Sequence, residues 1–354
     1  MIFTIFGYPK TGKTLLYNLL TEKNEEISKF STSLNESHKA IVDVPDERLK
    51  QLADYFETPP VYAKIEFLDA GPISYGEAKN STFIDLIRRA DGLIHMVRGF
   101  SDDEIIHPKG TIDPVRDINS MEDELITIDF LTVEKRIERV SSDIKKMKSK
   151  ELIEEFELLS KLKSILEDGV PLRDMELSQK EEHLIRGFKF LSIKPLMNII
   201  NCDESSYQKY RQLEKRGKNS SLYVFSGKIE TELLELDEED RKVFQHEYGL
   251  DDYEYMRDNF IRNSYDLMNL ISFFTVGKDE TKAWTVNKND TALIAAGKIH
   301  SDIQQGFIRG ETINWKDFLD AGGFAQAKEK GLLRLEGKEY LVQDGDIIHF
   351  RFNK

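Results

Sequence analysis

Short apolar runs separated by polar turns dominate residues 1–100. "MIFTIFG", "AKIEFLDAG" and "DGLIHMVRGF" are nearly continuous in apolar side chains and too brief for buried helices, so they predict strands covered on both faces. Between them, "TGKTLLYNLLTEKN" places Leu15, Leu16, Leu19 and Leu20 on one helical face, and "FIDLIRRA" predicts a second, shorter helix. "IKPLMNIINC" and "SSLYVFSGK" resume the strand pattern after residue 190. Strand–helix–strand alternation predicts an α/β fold built on a parallel sheet with helices on both faces.

A different period interrupts that pattern. Ile126, Phe130, Val133, Ile137, Val140, Ile144 and Met147 recur at steps of four and three, an apolar seam on a helix of many turns. Leu152, Phe156, Leu159, Leu162 and Leu166 form a second series before the break at "DGVPL". Together they predict two antiparallel helices forming an arm over residues 118–186. The parallel sheet is then expected over 1–117 and 187–272. From residue 273 onward, short strands alternate with Gly/Asp turns, and one helix is expected around "NWKDFLDA". This texture predicts a small α+β domain over 273–354.

Composition narrows the function classes. A chain of 354 residues is too long for one core, and 40% apolar residues suffice for two or three domains. Formal net charge is −14, so contact with nucleic acid has to come from local basic clusters such as "KKMKSK" or "QKYRQLEKRGKNSS". Sequence-specific DNA binding is not expected. The single cysteine, Cys202, excludes an intramolecular disulfide and fits a reducing, cytoplasmic location. No 18-residue apolar run predicts a membrane span.

"GYPKTGKT", Gly7 to Thr14, satisfies G-x-x-x-x-G-K-[ST] directly after a predicted strand and before a predicted helix. In that setting the backbone N–H groups of the loop point at a phosphate, Lys13 places a charge over its oxygens, and the Thr14 hydroxyl can ligate Mg²⁺. Asp69, which follows an apolar strand into a glycine, is the candidate second carboxylate of the metal site.

With these motifs in place, the chain resembles the YchF/Obg-like ATPase family of the P-loop GTPase class over nearly its whole length. "IEFLDAG", "ADGLIHMVRGF", "TIDPVRDI", "LTVEKRIERV" and "IKPLMNIINCDE" fall in the family's order. "KAWTV", "AAGKIHSDIQQGFIRGE" and "LEGKEYLVQDGDIIHFRFN" look like its C-terminal TGS domain, a ubiquitin-like β-grasp module. The resemblance implies a P-loop NTPase sheet with an inserted coiled-coil arm and a C-terminal β-grasp domain. It also implies slow, magnesium-dependent ATP hydrolysis and a ribosomal partner. By the same resemblance, Lys10, Thr11, Gly12, Lys13, Thr14 and Leu15 cradle the phosphates, and Asn201, Cys202, Glu204 and Ser226 surround the base. Guanine-specific relatives read the base through the Asp of N-K-x-D. Here "NCDE" puts Cys202 at the Lys and Glu204 at the Asp, which favours ATP over GTP, although Asp203 and "FSGK" leave GTP as an alternative.

Several positions depart from the family. Its "DIAG" is one residue shorter here, at Asp69-Ala70-Gly71, and Pro72 follows with no side-chain donor to orient water. The register of "VDVPDERL" puts Leu34 where the family has a magnesium-binding switch threonine, with Thr32 and Ser33 as substitutes only if the loop shifts. A nucleotide-binding module without hydrolysis is therefore a second alternative. The family has Asn at the position of Lys10, where related potassium-stimulated NTPases place a monovalent cation; the Lys10 ammonium either replaces that cation or is simply solvated. His95 in "LIHMV" is expected as a packed strand histidine, and Cys202 as buried and inert. His107, His300 and His349 are too scattered for a metal site, and Trp284 and Trp315 are expected as core anchors.

Overall fold

All five predicted strands pair in one parallel sheet. The computed structural model describes residues 1–21, 39–72, 81–147, 149–247 and 256–353. The seven-stranded sheet runs in the order Lys39–Asp43, Lys64–Pro72, Ile2–Gly7, Gly92–Arg98, Leu196–Asn201, Ser220–Phe225 and Lys215–Arg216. Ile2–Gly7 lies parallel to both Lys64–Pro72 and Gly92–Arg98, which puts the chain leaving it at the carboxyl edge of the central strands. The short Lys215–Arg216 strand closes that sheet antiparallel to Ser220–Phe225. One face is covered by a core of Phe6, Phe83, Ile87, Leu93, Met121, Leu125 and Leu196.

Met121 and Leu125 belong to a helix of 33 residues, Pro114–Lys146, whose first turns pack on the sheet and whose remainder forms the arm. Asp113 caps it by accepting the Arg116 N–H at 3.1 Å, and Pro114 occupies the first turn, where its missing N–H costs nothing. Ser149 caps the returning helix Lys150–Glu167. The arm core joins Val133, Val140, Leu159, Leu162 and Leu166, with Phe130, Ile137, Ile144, Leu152 and Phe156 packed around it. Met147 is a correction to the expected seam: it terminates the helix as an exposed C-cap residue. At the arm's root, buried Asp129 accepts the N–H groups of Leu191 (2.9 Å) and Ser192 (2.7 Å) and the Ser192 hydroxyl (2.7 Å). Arg173 donates to both oxygens of Glu122 at 2.6 and 2.8 Å.

The chain divides into two compact units, Met1–Ile41 with Glu66–Met256 and Val42–Ile65 with Arg257–Lys354. The second has a six-stranded sheet in the order Arg334–Glu336, Phe307–Asn314, Asp346–Phe352, Leu270–Val276, Thr281–Asn287 and Pro60–Val61. Its core holds Phe273, Val286, Ala295, Ala296 and Ile348, with Trp284 partly buried against it. Residues 42–65, expected within the span 1–117, group with this unit for visible reasons. In the helix Glu47–Phe56, Phe56 stacks on Phe318 at 5.3 Å and Arg48 bonds Asp344 at 2.7 Å. The segment "ALIAAGKI" corrects another expectation. Read as strand texture, it forms the helix Ala292–Ile299, because Thr291 caps it and its alanines favour helix wherever sheet partners are absent. The helix expected at "NWKDFLDA" forms as Trp315–Ala321, followed by Phe324–Glu329.

Candidate functional site

The loop between Ile2–Gly7 and the helix Lys13–Thr21 is held in a conformation that its glycines permit. Gly7 has φ +150°, and a Cβ there would lie 2.2 Å from the Met96 carbonyl oxygen. Gly12 has φ +99°, with Asn201 Nδ2 only 2.4 Å from where its Cβ would stand. Lys10 also adopts positive φ, +59°, in an exposed turn position that glycine or asparagine occupies with less strain. Lys13 is buried at the first helical position, and its Nζ donates to the carbonyls of Gly7 (3.1 Å) and Tyr8 (2.8 Å). Burial pulls its pKa down to about 8, against the opposing charge of Asp69. Thr14 and Leu15 follow, half-buried, in the same first turn. The loop thus delivers a buried ammonium to a helix N-terminus, an arrangement whose electrostatics suit an anion.

Asp69 stands on the neighbouring strand, in register with Ile5. The pairing then slips, Gly7 meeting Pro72, so the strand carries an extra residue beside the cradle. Gly71, at φ +75°, turns its N–H onto Asp69 Oδ1 at 2.8 Å. The shortened Asp-Ala-Gly segment thus stays in the strand up to Pro72. Leu34, Thr32 and Ser33 lie outside the described residues.

Asn201 ties the loop after Ile2–Gly7 to the start of the helix Gly227–Glu235. Its Nδ2 donates to the Thr11 carbonyl at 3.1 Å, and its Oδ1 accepts the Gly227 N–H at 3.0 Å. Leu15 packs so close to Gly227 that a Cβ there would meet it at 2.3 Å. Ser226 is fully buried and caps the helix Gly227–Glu235. Cys202 is turned inward, with Sγ 3.4 Å from the Phe225 carbonyl oxygen and burial pushing the thiol up to about 12. The inert cysteine fits this placement. Asp203 accepts the Ser101 N–H at 2.9 Å, while Glu204 meets Lys228 at 2.9 Å. The structure therefore brings Thr11, Gly12, Asn201, Ser226 and Leu15 together, and separates the three candidates of "CDE" by the partner each has.

Comparison with known proteins agrees with this architecture. The family described as YchF-GTPase_C, protein of unknown function (DUF933), matches residues 270–353. The protein called ribosome-binding ATPase YchF in Bacillus subtilis (strain 168) is 40% identical over 362 aligned residues, covering 99% of this chain and 98% of that protein. The chain belongs to the YchF family. The protein of the same name in Escherichia coli O157:H7 is 38% identical over 361 residues, with the same coverage. Among solved structures, the Schizosaccharomyces pombe YchF GTPase superposes with a TM-score of 0.82 at 28% identity, over 99% of this chain and 97% of its own. A GTP binding protein from Pyrococcus horikoshii OT3 shares the fold, with a TM-score of 0.60 at 20% identity over the whole of both chains.

In this YchF-family chain, some polar groups near the cradle carried no readable signal. Arg98, at the end of a buried strand, donates to the carbonyls of Phe100, Asp102 and Ile105 and so shapes the loop that also presents Ser101. His95 is a packed strand histidine: Nδ1 meets Asn198 Oδ1 at 3.0 Å, its ring stacks on Phe6, and burial lowers its pKa to about 4. His107 sits 2.9 Å from Asp117, and its Nδ1 accepts the Lys109 N–H, with burial holding its pKa below the usual value. Among the described residues no group of three or more His, Cys, Asp or Glu is arranged to hold a metal.

Proposed function

We propose that this chain is a magnesium-dependent, slow ATPase that acts as a ribosome-associated switch. The observation that carries the reading is the buried Lys13 at the helix N-terminus, within a loop that Asn201 holds in register with the base-side segment. The names of its relatives, ribosome-binding ATPases, support both the reaction and the partner. A cytoplasmic location follows from a ribosomal partner, and no described helix is long and apolar enough to cross a membrane.

In this reading Lys10 to Leu15 cradle the phosphates and Lys13 neutralises charge as it develops. Thr14 and Asp69 supply hard oxygen donors on adjacent elements, and no competing His or Cys ligand set stands beside them among the described residues. That donor set fits Mg²⁺, which takes few protein ligands and completes its octahedron with phosphate and water oxygens. The ion would offset charge on the phosphates. Cys202 is turned to the interior, and Glu204 stands where guanine-specific relatives have the base-reading Asp; this supports ATP. Pro72, next in sequence to Gly71, is a residue type with no side-chain donor or acceptor to orient water, which fits slow turnover. The arm and the C-terminal β-grasp domain would report the nucleotide state to the ribosome.

Radiolabelled turnover tests the enzyme. ATP hydrolysis should exceed GTP hydrolysis, and Lys13→Ala should lower it by about a hundredfold or more. Tight ATP binding with no turnover at all would replace the ATPase by a non-hydrolysing module.

A further inference from the structure

Residues 42–65 leave the parallel sheet, build part of the C-terminal unit and return on the strand that carries Asp69. Both crossings lie within one two-stranded ribbon. Lys39 Nζ meets Glu66 Oε1 at 2.7 Å, Lys64 Nζ meets Asp43 Oδ1 at 3.6 Å, and the Val44 N–H donates to the Ala63 carbonyl at 2.8 Å. Each residue number rises as its partner's falls, so the strands run antiparallel through the crossing and are not two loose connections. On the cradle side, Glu66 to Asp69 stay in regular register with Ile2 to Ile5, and the pairing slips only beyond Asp69. At the usual rise per residue, Asp69 lies about 13 Å along the strand from Ile65.

The other end of the ribbon is anchored within the C-terminal unit. Pro60–Val61 adds as the edge strand beside Thr281–Asn287, with the Thr58 and Thr281 hydroxyls 2.7 Å apart. In the helix Glu47–Phe56, Phe56 stacks on Phe318 at 5.3 Å, the Tyr55 hydroxyl donates to the Gly322 carbonyl at 2.9 Å, and Arg48 reaches Asp344 at 2.7 Å. The region matched by the family model, 270–353, is thus completed by residues from far upstream.

We propose that this ribbon carries phosphate occupancy of the cradle into the C-terminal unit. The inference rests on the nucleotide-binding reading above and names the route by which that unit senses it. Asp69 sits on a strand with a paired neighbour on each side, so a ligand that restrains its carboxylate restrains the strand. Contacts on both sides of the crossing leave little slack to absorb that restraint. It therefore reaches the helix Glu47–Phe56 and, through Pro60–Val61, the strand Thr281–Asn287. The coupling is reciprocal, since whatever holds the anchor also biases the cradle.

Hydrogen exchange read by mass spectrometry tests this on the full chain, with and without ATP or GTP in millimolar Mg²⁺. In wild type, the nucleotide that binds should slow exchange about fivefold or more at 7–14, and also at 47–56 and 281–287. Arg48→Gln and Phe56→Leu loosen the anchor and leave the cradle residues in place; thermal melts confirm that each is folded. Both variants should keep the protection at 7–14 and lose about half or more of it at 281–287. Protection confined to 7–14 in wild type overturns the inference, whatever the variants do, and leaves nucleotide binding standing. Protection of 281–287 that persists undiminished in both variants reports stabilisation of the whole fold by ligand, and overturns the inference equally. No protection at 7–14 with either nucleotide removes the cradle reading, and this inference with it.

Discussion

Lys13 carries its charge where water barely reaches, and that has a measurable consequence. Its folded-state pKa, about 8, lies below the ordinary 10.5, so between those values the unfolded chain binds more protons than the folded one. The lysine's contribution to the stability of the nucleotide-free protein therefore rises as pH increases from 8 to 10.5. A bound triphosphate reverses the imbalance by restoring the ammonium. Near pH 8, nucleotide binding should take up about half a proton, read as a dependence of calorimetric heat on buffer ionisation enthalpy. The uptake should fade at pH 6.5, where Lys13 is already protonated; equal heats in all buffers at pH 8 would contradict the assignment. The glycine-lysine-threonine spacing made this residue legible in the sequence. The roles within "NCDE" were not, because spacing cannot say that Asp203 will find the Ser101 N–H, or that Cys202 will turn toward Phe225.

The arm was legible as an element because its seam repeats at heptad spacing, and the same residues meet in its core. Spacing alone could not mark where the seam ends, since Met147 continues the pattern although its own backbone has already turned extended at the C-cap. Nor could it reveal what anchors the arm. Asp129, one of several acids on a long helix, looks like a solvated charge until the turn at residues 191–192 folds over it. Burial raises its pKa to about 6, partly offset by the bonds from Leu191 and Ser192. The folded state therefore holds more protons than the unfolded one between about pH 4 and 6, and the contribution of this carboxyl to stability declines as pH rises through that window. Asp129→Asn turns an amide N–H₂ toward a backbone N–H and should destabilise the protein by about 1–3 kcal/mol in denaturant unfolding at pH 7. An unchanged midpoint would show that the anchor is dispensable. "ALIAAGKI" was misread for the opposite reason: its apolar residues suit either structure, and the Thr291 cap decides for helix.

At the scale of the whole molecule, the chain crosses between its two units after Ile41, after Ile65 and after Met256. The apolar face of Glu47–Phe56 (Leu49, Leu52 and Ala53) is buried within the unit that also contains Arg257–Lys354. A chain cut after Met256 should therefore be left with that face uncovered and aggregate on expression. Recovery of a soluble monomer with an unchanged thermal midpoint would contradict this division. Sequence pattern placed the parallel sheet, the arm and the C-terminal strands, but it left residues 42–65 with the first part. The Phe56–Phe318 stack and the Arg48–Asp344 bridge join positions about 260 and 300 residues apart, and such pairings have no local signature. The whole account depends on a cradle that grips a triphosphate. Titration of the full chain with ATP in millimolar Mg²⁺, beside Lys13→Ala, tests that most directly. Saturable one-to-one binding by wild type, weakened at least about a hundredfold in the variant, is the predicted result; no heat from wild type with either ATP or GTP would contradict it.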